Sequence, residues 1–344
     1  YQNDLEAVLS DQFPLRLTWI LTAKAVDRGI IHLAYWFTSD PAIPADRTSG
    51  YFITRDHSAI LAGPEPYRES ALEVIDKRIN NYQALIDANP EVNFYVYYIE
   101  RIQNVSAHPM DGMFEDLERG QYFDYFLQHQ PAALSVEKID LTSFEDHLAY
   151  FYRTDNHWNM RGMFHAYDEI YILFQQNYPE IPDELPYEDF LTDKFINFRG
   201  SLARKSFSPN SEPFTIVDYA LPPHEVYENG QLTTYSNSAD YLAGSYPQDP
   251  YYNHYEGEFG RDWALIEFVF PGNPNRNLLV IGNSYDNALI PLLASHYHHT
   301  YDIDLRFFKD FSLDAFLAEH PVDDILVIGE NSIVFGSERY RINP

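Results

Sequence analysis

The sequence predicts an α/β fold of the SGNH-hydrolase-like (flavodoxin-like) kind, a mostly parallel sheet flanked by helices, with a β-rich insertion. The segments Asn93-Phe-Tyr-Val-Tyr-Tyr-Ile99, Asn277-Leu-Leu-Val-Ile281 and Asp324-Ile-Leu-Val-Ile328 are short apolar runs rich in β-branched and aromatic residues. Strands buried on both faces read this way. Between them run charged stretches with helical periodicity, such as Leu72, Ile75, Ile79, Tyr82 and Ile86. Strands that alternate with helices pair in parallel, because each return crossing needs a helix to cover the sheet.

Taken in order, Asp11-Gln-Phe-Pro-Leu-Arg16 through Val26 reads as a turn feeding an amphipathic helix. The helical pattern from Pro64 to Ala88 stops at Asn89-Pro90, and the strand Asn93–Ile99 follows. Met113 to Gln130 reads as a helix and Ala133 to Leu141 as a second strand. Thr142 or Ser143 can cap a short helix, and Asn159 is a good N-cap for a helix from Met160 to about Gln176. Residues 180–262 are rich in Pro, Tyr, Asn, Ser and Gly and read as an irregular, β-rich elaboration. Within them Glu228-Asn-Gly-Gln231 is a hairpin signal.

The α/β rhythm then returns. Trp263–Phe270 is a strand, Asn277–Ile281 a buried strand, about Asp286 to His296 a helix and Tyr301–Leu305 a strand. Leu313–Ala318 is a helix and Asp324–Ile328 a last strand. The whole chain, residues 1–344, reads as one such domain carrying its elaboration.

Composition narrows the function. A formal charge of −29 repels phosphate backbones and anionic headgroups, which disfavours nucleic acid and anionic membrane surfaces as partners. With no cysteine, disulfides, thiolate metal sites and cysteine nucleophiles are excluded. The abundant Tyr and Phe lean weakly towards sugars, although filling the core explains them equally well. Nothing in the chain calls for a cofactor. The histidines of His296-Tyr-His-His299 lack a carboxylate at ligand spacing, so no metal is expected there. Asp302 and Asp304 fit strand alternation better than an acid pair.

Two segments carry chemistry. In Leu278-Leu-Val-Ile-Gly-Asn-Ser-Tyr285 an apolar strand runs into a glycine turn, with Ser284 at the bend. Ligands of open α/β sheets bind beyond the carboxyl ends of strands, so Ser284 is placed as a nucleophile; capping the next helix is the plainer alternative. In Arg153-Thr-Asp-Asn-His-Trp158, Asp155 and His157 are two apart and share a face if the stretch is extended. They can serve as orienting carboxylate and general base, or as a cap beside a surface histidine, or as two metal ligands.

Together these segments resemble the DHHW family, related to the SGNH-like domains of alginate and peptidoglycan O-acetyltransferases. The resemblance rests on Phe151-Tyr-Arg-Thr-Asp-Asn-His-Trp158 and on Val280-Ile-Gly-Asn-Ser-Tyr-Asp-Asn-Ala-Leu-Ile-Pro-Leu-Leu293 continuing to Tyr301-Asp-Ile-Asp-Leu-Arg-Phe-Phe308. Asp11-Gln-Phe-Pro-Leu-Arg16 also fits it.

The resemblance implies Ser284 as nucleophile, His157 as general base and Asp155 as its orienter. It implies esterase or O-acyltransferase activity, most simply on acetyl groups of a cell-envelope or extracellular polysaccharide or on a small acyl ester. With it go a membrane acyl-donor protein as partner and an extracellular or envelope-associated location, any export signal lying outside this sequence. The competing class is a glycan-binding or polysaccharide-assembly protein on the same scaffold. Tyr285, Asn287 and Arg306 are candidate oxyanion donors, and Trp158 a candidate sugar contact or core aromatic. Asn283 and Asn156 stand where the family usually has Asp and His.

Overall fold

The computed structural model describes residues 16–187, 191–217, 219, 221–233, 252–260, 262–337 and 339–342. It opens with helix α1 (Arg16–Ala34) and a small antiparallel meander, β1 (Ala42–Pro44), β2 (Tyr51–Thr54) and β3 (Ile60–Ala62). There follow α2 (Ser70–Ala88), β4 (Asn93–Ile99), α3 (Gln121–His129), β5 (Leu134–Ile139), α4 (Phe144–Tyr150) and α5 (Met160–Gln175). The middle of the chain supplies β6 (Leu191–Phe198), α6 (Ser201–Ser206), β7 (Glu212–Val217), β8 (Glu225–Glu228), β9 (Gln231–Thr233) and α7 (His254–Phe259). The last part is β10 (Leu265–Val269), β11 (Asn277–Ile281), α8 (Ile290–Ala294), β12 (His299–Ile303), α9 (Leu313–Glu319), β13 (Asp324–Gly329) and α10 (Asn331–Val334).

The central sheet has eight strands in the order β5-β4-β13-β11-β12-β10-β8-β9. The first five are mutually parallel and the last three add antiparallel pairs at one edge. Alternation decides which face each side chain serves. Tyr95, Tyr97, Leu278, Val280, Leu326 and Ile328 point into a core closed by α5 and α8. Phe94, Val96, Tyr98, Leu279, Ile281, Ile325 and Val327 point the other way, under α2, α3 and α9. With both faces covered, β4, β11 and β13 are buried almost end to end, which is why they read as continuous apolar runs.

Several elements depart from the sequence reading. The helix expected over Met113–Gln130 begins only at Gln121, because Asp116, Arg119 and Gly120 take positive φ of 51°, 49° and 85°. The helix expected from Asp286 to His296 is a 3-10 turn, Asp286–Ala288, followed by α8, whose Pro291 cannot donate into a continuous ladder. β12 starts at His299 and ends at Ile303, set by its pairing with β11 in register Asn277↔His299 to Ile281↔Ile303.

Within residues 180–262, β6 and β7 form a separate antiparallel ladder, while β8 and β9 join the main sheet through the Asn229-Gly230 turn at φ 48° and 77°. Residues 234–251 lie outside the described residues, as does Asp11–Leu15 before α1.

Candidate active site

The serine turn is built locally. Gly282 N–H closes β11 onto the Ile303 carbonyl at 3.1 Å, and the Asn283 Oδ1 accepts from the Tyr285 N–H at 3.1 Å. That Asx turn bends the chain sharply after the strand. The bend is tight enough that a Cβ on Gly282 would sit 1.6 Å from Asp286 Oδ2, so only glycine fits. The acceptor oxygen the turn needs is supplied by Asn as well as by Asp, so Asn283 keeps its geometry. Ser284 is left half-buried at the carboxyl edge of the sheet.

The loop holding Asp155 and His157 has no regular structure. It is closed by the Phe151↔Trp158 bridge and by Tyr152 N–H donating to the His157 carbonyl at 3.1 Å. Distant groups hold it. The Glu212 carboxylate accepts from Arg153 N–H at 2.9 Å and from Thr154 N–H and Oγ1 at 2.6 Å each. The Thr154 carbonyl accepts from Leu202 and Ala203 N–H at 3.0 and 3.1 Å, and Gly200 N–H donates to Thr154 Oγ1 at 3.0 Å. Gly200 passes so close that a Cβ there would lie 2.4 Å from the Thr154 backbone and from Asp155 Cβ.

The result is a connected line of side chains. His157 Nδ1 lies 2.6 Å from Asp155 Oδ1, and His157 Nε2 lies 2.9 Å from Ser284 Oγ. Asp155 Oδ1 also accepts from the His157 N–H at 3.1 Å, and its Oδ2 accepts from the Ser201 N–H. Asp155 is 2% exposed and His157 9%. Burial alone would raise the Asp155 pKa, but the facing imidazole and the N–H donors outweigh it and hold the carboxylate well below the usual range. Tyr255 from α7 stacks on the imidazole, with ring centroids 3.9 Å apart and 10° between planes.

These groups open onto a cleft of about 640 Å³ whose walls include His157, Ser284, Tyr255, Asn287, Arg306 and Arg204. Of the expected oxyanion donors, Tyr285 is turned away, its hydroxyl donating to the Asn156 carbonyl at 2.7 Å. Asn287 donates to Asp262 at 2.9 Å, and Arg306 binds Asp262 and Asp304 through Nη2 and Nε while both residues stay on the cleft wall. Trp158 is a core residue, 1% exposed and packed edge-on against Tyr285, so it is out of reach of a sugar. His296 turns inward to the Tyr167 hydroxyl at 2.6 Å, and His299 pairs with Glu267 at 3.1 Å.

Asp302 and Asp304 do alternate with the strand, but they lie beside Asp286 and Asp262. Burial first, then its acidic neighbours, pushes the Asp286 carboxyl far above the usual range. Sequence reasoning missed Tyr255, Ser201, Gly200 and Glu212. Each reaches the loop from 40 to 100 residues away, and no local pattern marks any of them.

The fold is of the SGNH-like α/β class. No protein-family model and no curated protein matches the sequence. Among solved structures, that of Bacillus cereus PatB1 with a sulfonyl adduct is similar at a TM-score of 0.67 and 17% identity, over 86% of this chain and 97% of that one. A DHHW family protein from Eubacterium siraeum is similar at a TM-score of 0.60 and 15% identity, over 85% and 94% of the two chains. The fold is thus shared with a DHHW family protein. Among the described residues, no helix is long and apolar enough to cross a membrane.

Proposed function

We propose that this chain is a serine-dependent esterase or O-acyltransferase that removes or transfers a small acyl group, acetyl first, on a cell-envelope or extracellular polysaccharide. The observation that carries the reading is the unbroken line Asp155–His157–Ser284, with contacts of 2.6 and 2.9 Å. The fold neighbours support it, one of them PatB1 bearing a sulfonyl adduct, since sulfonyl reagents modify activated nucleophiles.

In this reading the Asp155 carboxylate accepts from Nδ1–H and so fixes the tautomer that leaves Nε2 free to accept. As Ser284 Oγ attacks the acyl carbonyl, Nε2 takes its proton, and the C–O bond to the leaving alcohol breaks as that proton is returned to it. The oxyanion is received by the Ser284 backbone N–H, with the second Asn287 Nδ2–H and Arg306 Nη1 on the same wall. Water or a sugar hydroxyl then attacks the acyl-serine, giving up its proton to His157; the acyl–Oγ bond breaks and His157 returns that proton to Ser284 Oγ, restoring the starting state. Tyr255 shields one face of the imidazole and keeps it in line. Asn283 leaves this machinery whole, because its oxygen still builds the turn. An envelope or extracellular location and a membrane partner that supplies acyl groups belong to the same proposal.

The test is turnover of a chromogenic acetyl ester and labelling by a sulfonyl fluoride or fluorophosphonate. Ser284→Ala and His157→Ala are each expected to lower kcat/KM by at least about 10³-fold, with labelling lost in Ser284→Ala. Wild-type protein that is neither labelled nor active, yet binds glycan, would overturn the catalytic reading in favour of a binding module. A sugar alcohol that accelerates release of the chromogenic alcohol and becomes acetylated would assign transfer rather than hydrolysis.

A further inference from the structure

Helix α1 is amphipathic in the inverted sense. Its charged residues Lys24, Asp27 and Arg28 turn towards the body: Lys24 Nζ binds Asp46 at 2.8 Å, Arg28 Nη1 donates to the Phe207 carbonyl at 2.8 Å, and Asp27 pairs with Arg47. The solvent face carries Trp19 (62% exposed), Val26 (57%), Ile30 (52%) and Leu33 (73%), and it continues into Trp36 (71%) and Phe37 (93%). Between them stand Thr22, Ala23, Ala25 and Gly29, and Thr22 Oγ1 donates back to the Thr18 carbonyl at 2.7 Å. From Thr18 to Ala34, no aspartate, glutamate, lysine or arginine is exposed on this face, in a chain of net charge −29.

The six large side chains leave on the order of 800 Å² of apolar surface bare, about what each partner contributes to a standard stable interface. Isolated monomers rarely expose so much in one patch.

We propose that this face is where two copies of the chain associate, α1 against α1, about a two-fold axis passing near Val26. The spacing suits self-pairing. Trp19, Val26 and Leu33 are seven residues apart, so this row is symmetric about Val26. An antiparallel copy sets Trp19 against Leu33 of the second copy, Val26 near itself, and lets Ala25 and Gly29 admit close approach. Charge favours this occupant over a bilayer. Anionic headgroups would repel the acidic body, and the outward Lys and Arg that hold interfacial helices to lipid are here turned inward. Two acidic bodies, by contrast, meet with least repulsion through a face free of charge.

The chain has no cysteine, which makes the test clean. Sedimentation velocity of the wild-type chain should show a dimer that dissociates on dilution, and Val26→Glu should weaken it at least about a hundredfold. Val26→Cys, near the axis, should form a disulfide-linked dimer at least about tenfold faster than Ile172→Cys, a control at an exposed position on α5. A wild-type chain monomeric throughout, or equal cross-linking of the two variants, would overturn the proposal. So would a monomer that instead floats with phosphatidylcholine vesicles through this face, which would assign the stripe to lipid.

Discussion

Ser284 stands at the end of β11, a strand buried along its whole length and paired on both sides, and its turn is closed by groups within four residues of it. His157 stands in an irregular loop whose restraints come from Glu212, Gly200 and Ser201, 46 to 58 residues from the loop residues they bind. The serine turn is therefore shaped largely by its own sequence neighbourhood, and the imidazole is held by contacts that exist only once the chain has folded. The carboxyl groups on the two sides differ in the same sense. Asp155 is ringed by donors and held as the anion, whereas Asp286, buried among other acids, is pushed towards its neutral form. The geometry of the proposed triad should thus be most fragile on the His157 side, at positions remote in sequence.

Outside Ser284, His157 and Asp155 themselves, the largest expected effect is from Gly200→Ala. Its methyl would collide with the Thr154 backbone and Asp155 at 2.4 Å and must displace the loop, lowering kcat/KM by about a hundredfold while circular dichroism stays native. Wild-type rates in this variant would show that the loop holds itself. Tyr255 comes next. Its ring stacks on His157 and its hydroxyl has no hydrogen-bond partner among the described residues, so Tyr255→Phe should leave kcat within about twofold, and Tyr255→Leu should lower it about fivefold and shift the pH profile. Equal losses in the two variants would mean that the hydroxyl, not the stack, matters.

The smallest effect concerns the serine side. A carboxyl whose folded pKa is raised contributes stability that is present below the unfolded value near 4 and lost as pH rises through the folded one. Asp286→Asn should therefore raise Tm by about 2 °C at pH 8 and leave it nearly unchanged at pH 4. Asp155 has the opposite sign. Its stabilisation is present above the unfolded value and lost as pH falls through the depressed folded one. An Asp286→Asn chain that melts lower at pH 8 would mean that the ionised carboxylate is needed where it sits.

The sequence alone determined the layered α/β architecture, because strands buried on both faces must be apolar throughout, as β4, β11 and β13 are. It also singled out Ser284, His157 and Asp155, since a glycine turn after such a strand and an Asp–X–His spacing are local patterns. Helix ends were less legible. Positive φ at Asp116 and Arg119 and the 3-10 turn at Asp286 leave no mark in the periodicity of apolar residues. Only the folded chain buries Trp158 in the core and turns the Tyr285 hydroxyl to the Asn156 carbonyl. The tertiary structure alone decided which groups brace the imidazole, Glu212, Gly200, Ser201 and Tyr255. A hydrogen bond or ring stack depends on distance in space, and for these residues distance along the chain carries no trace of it.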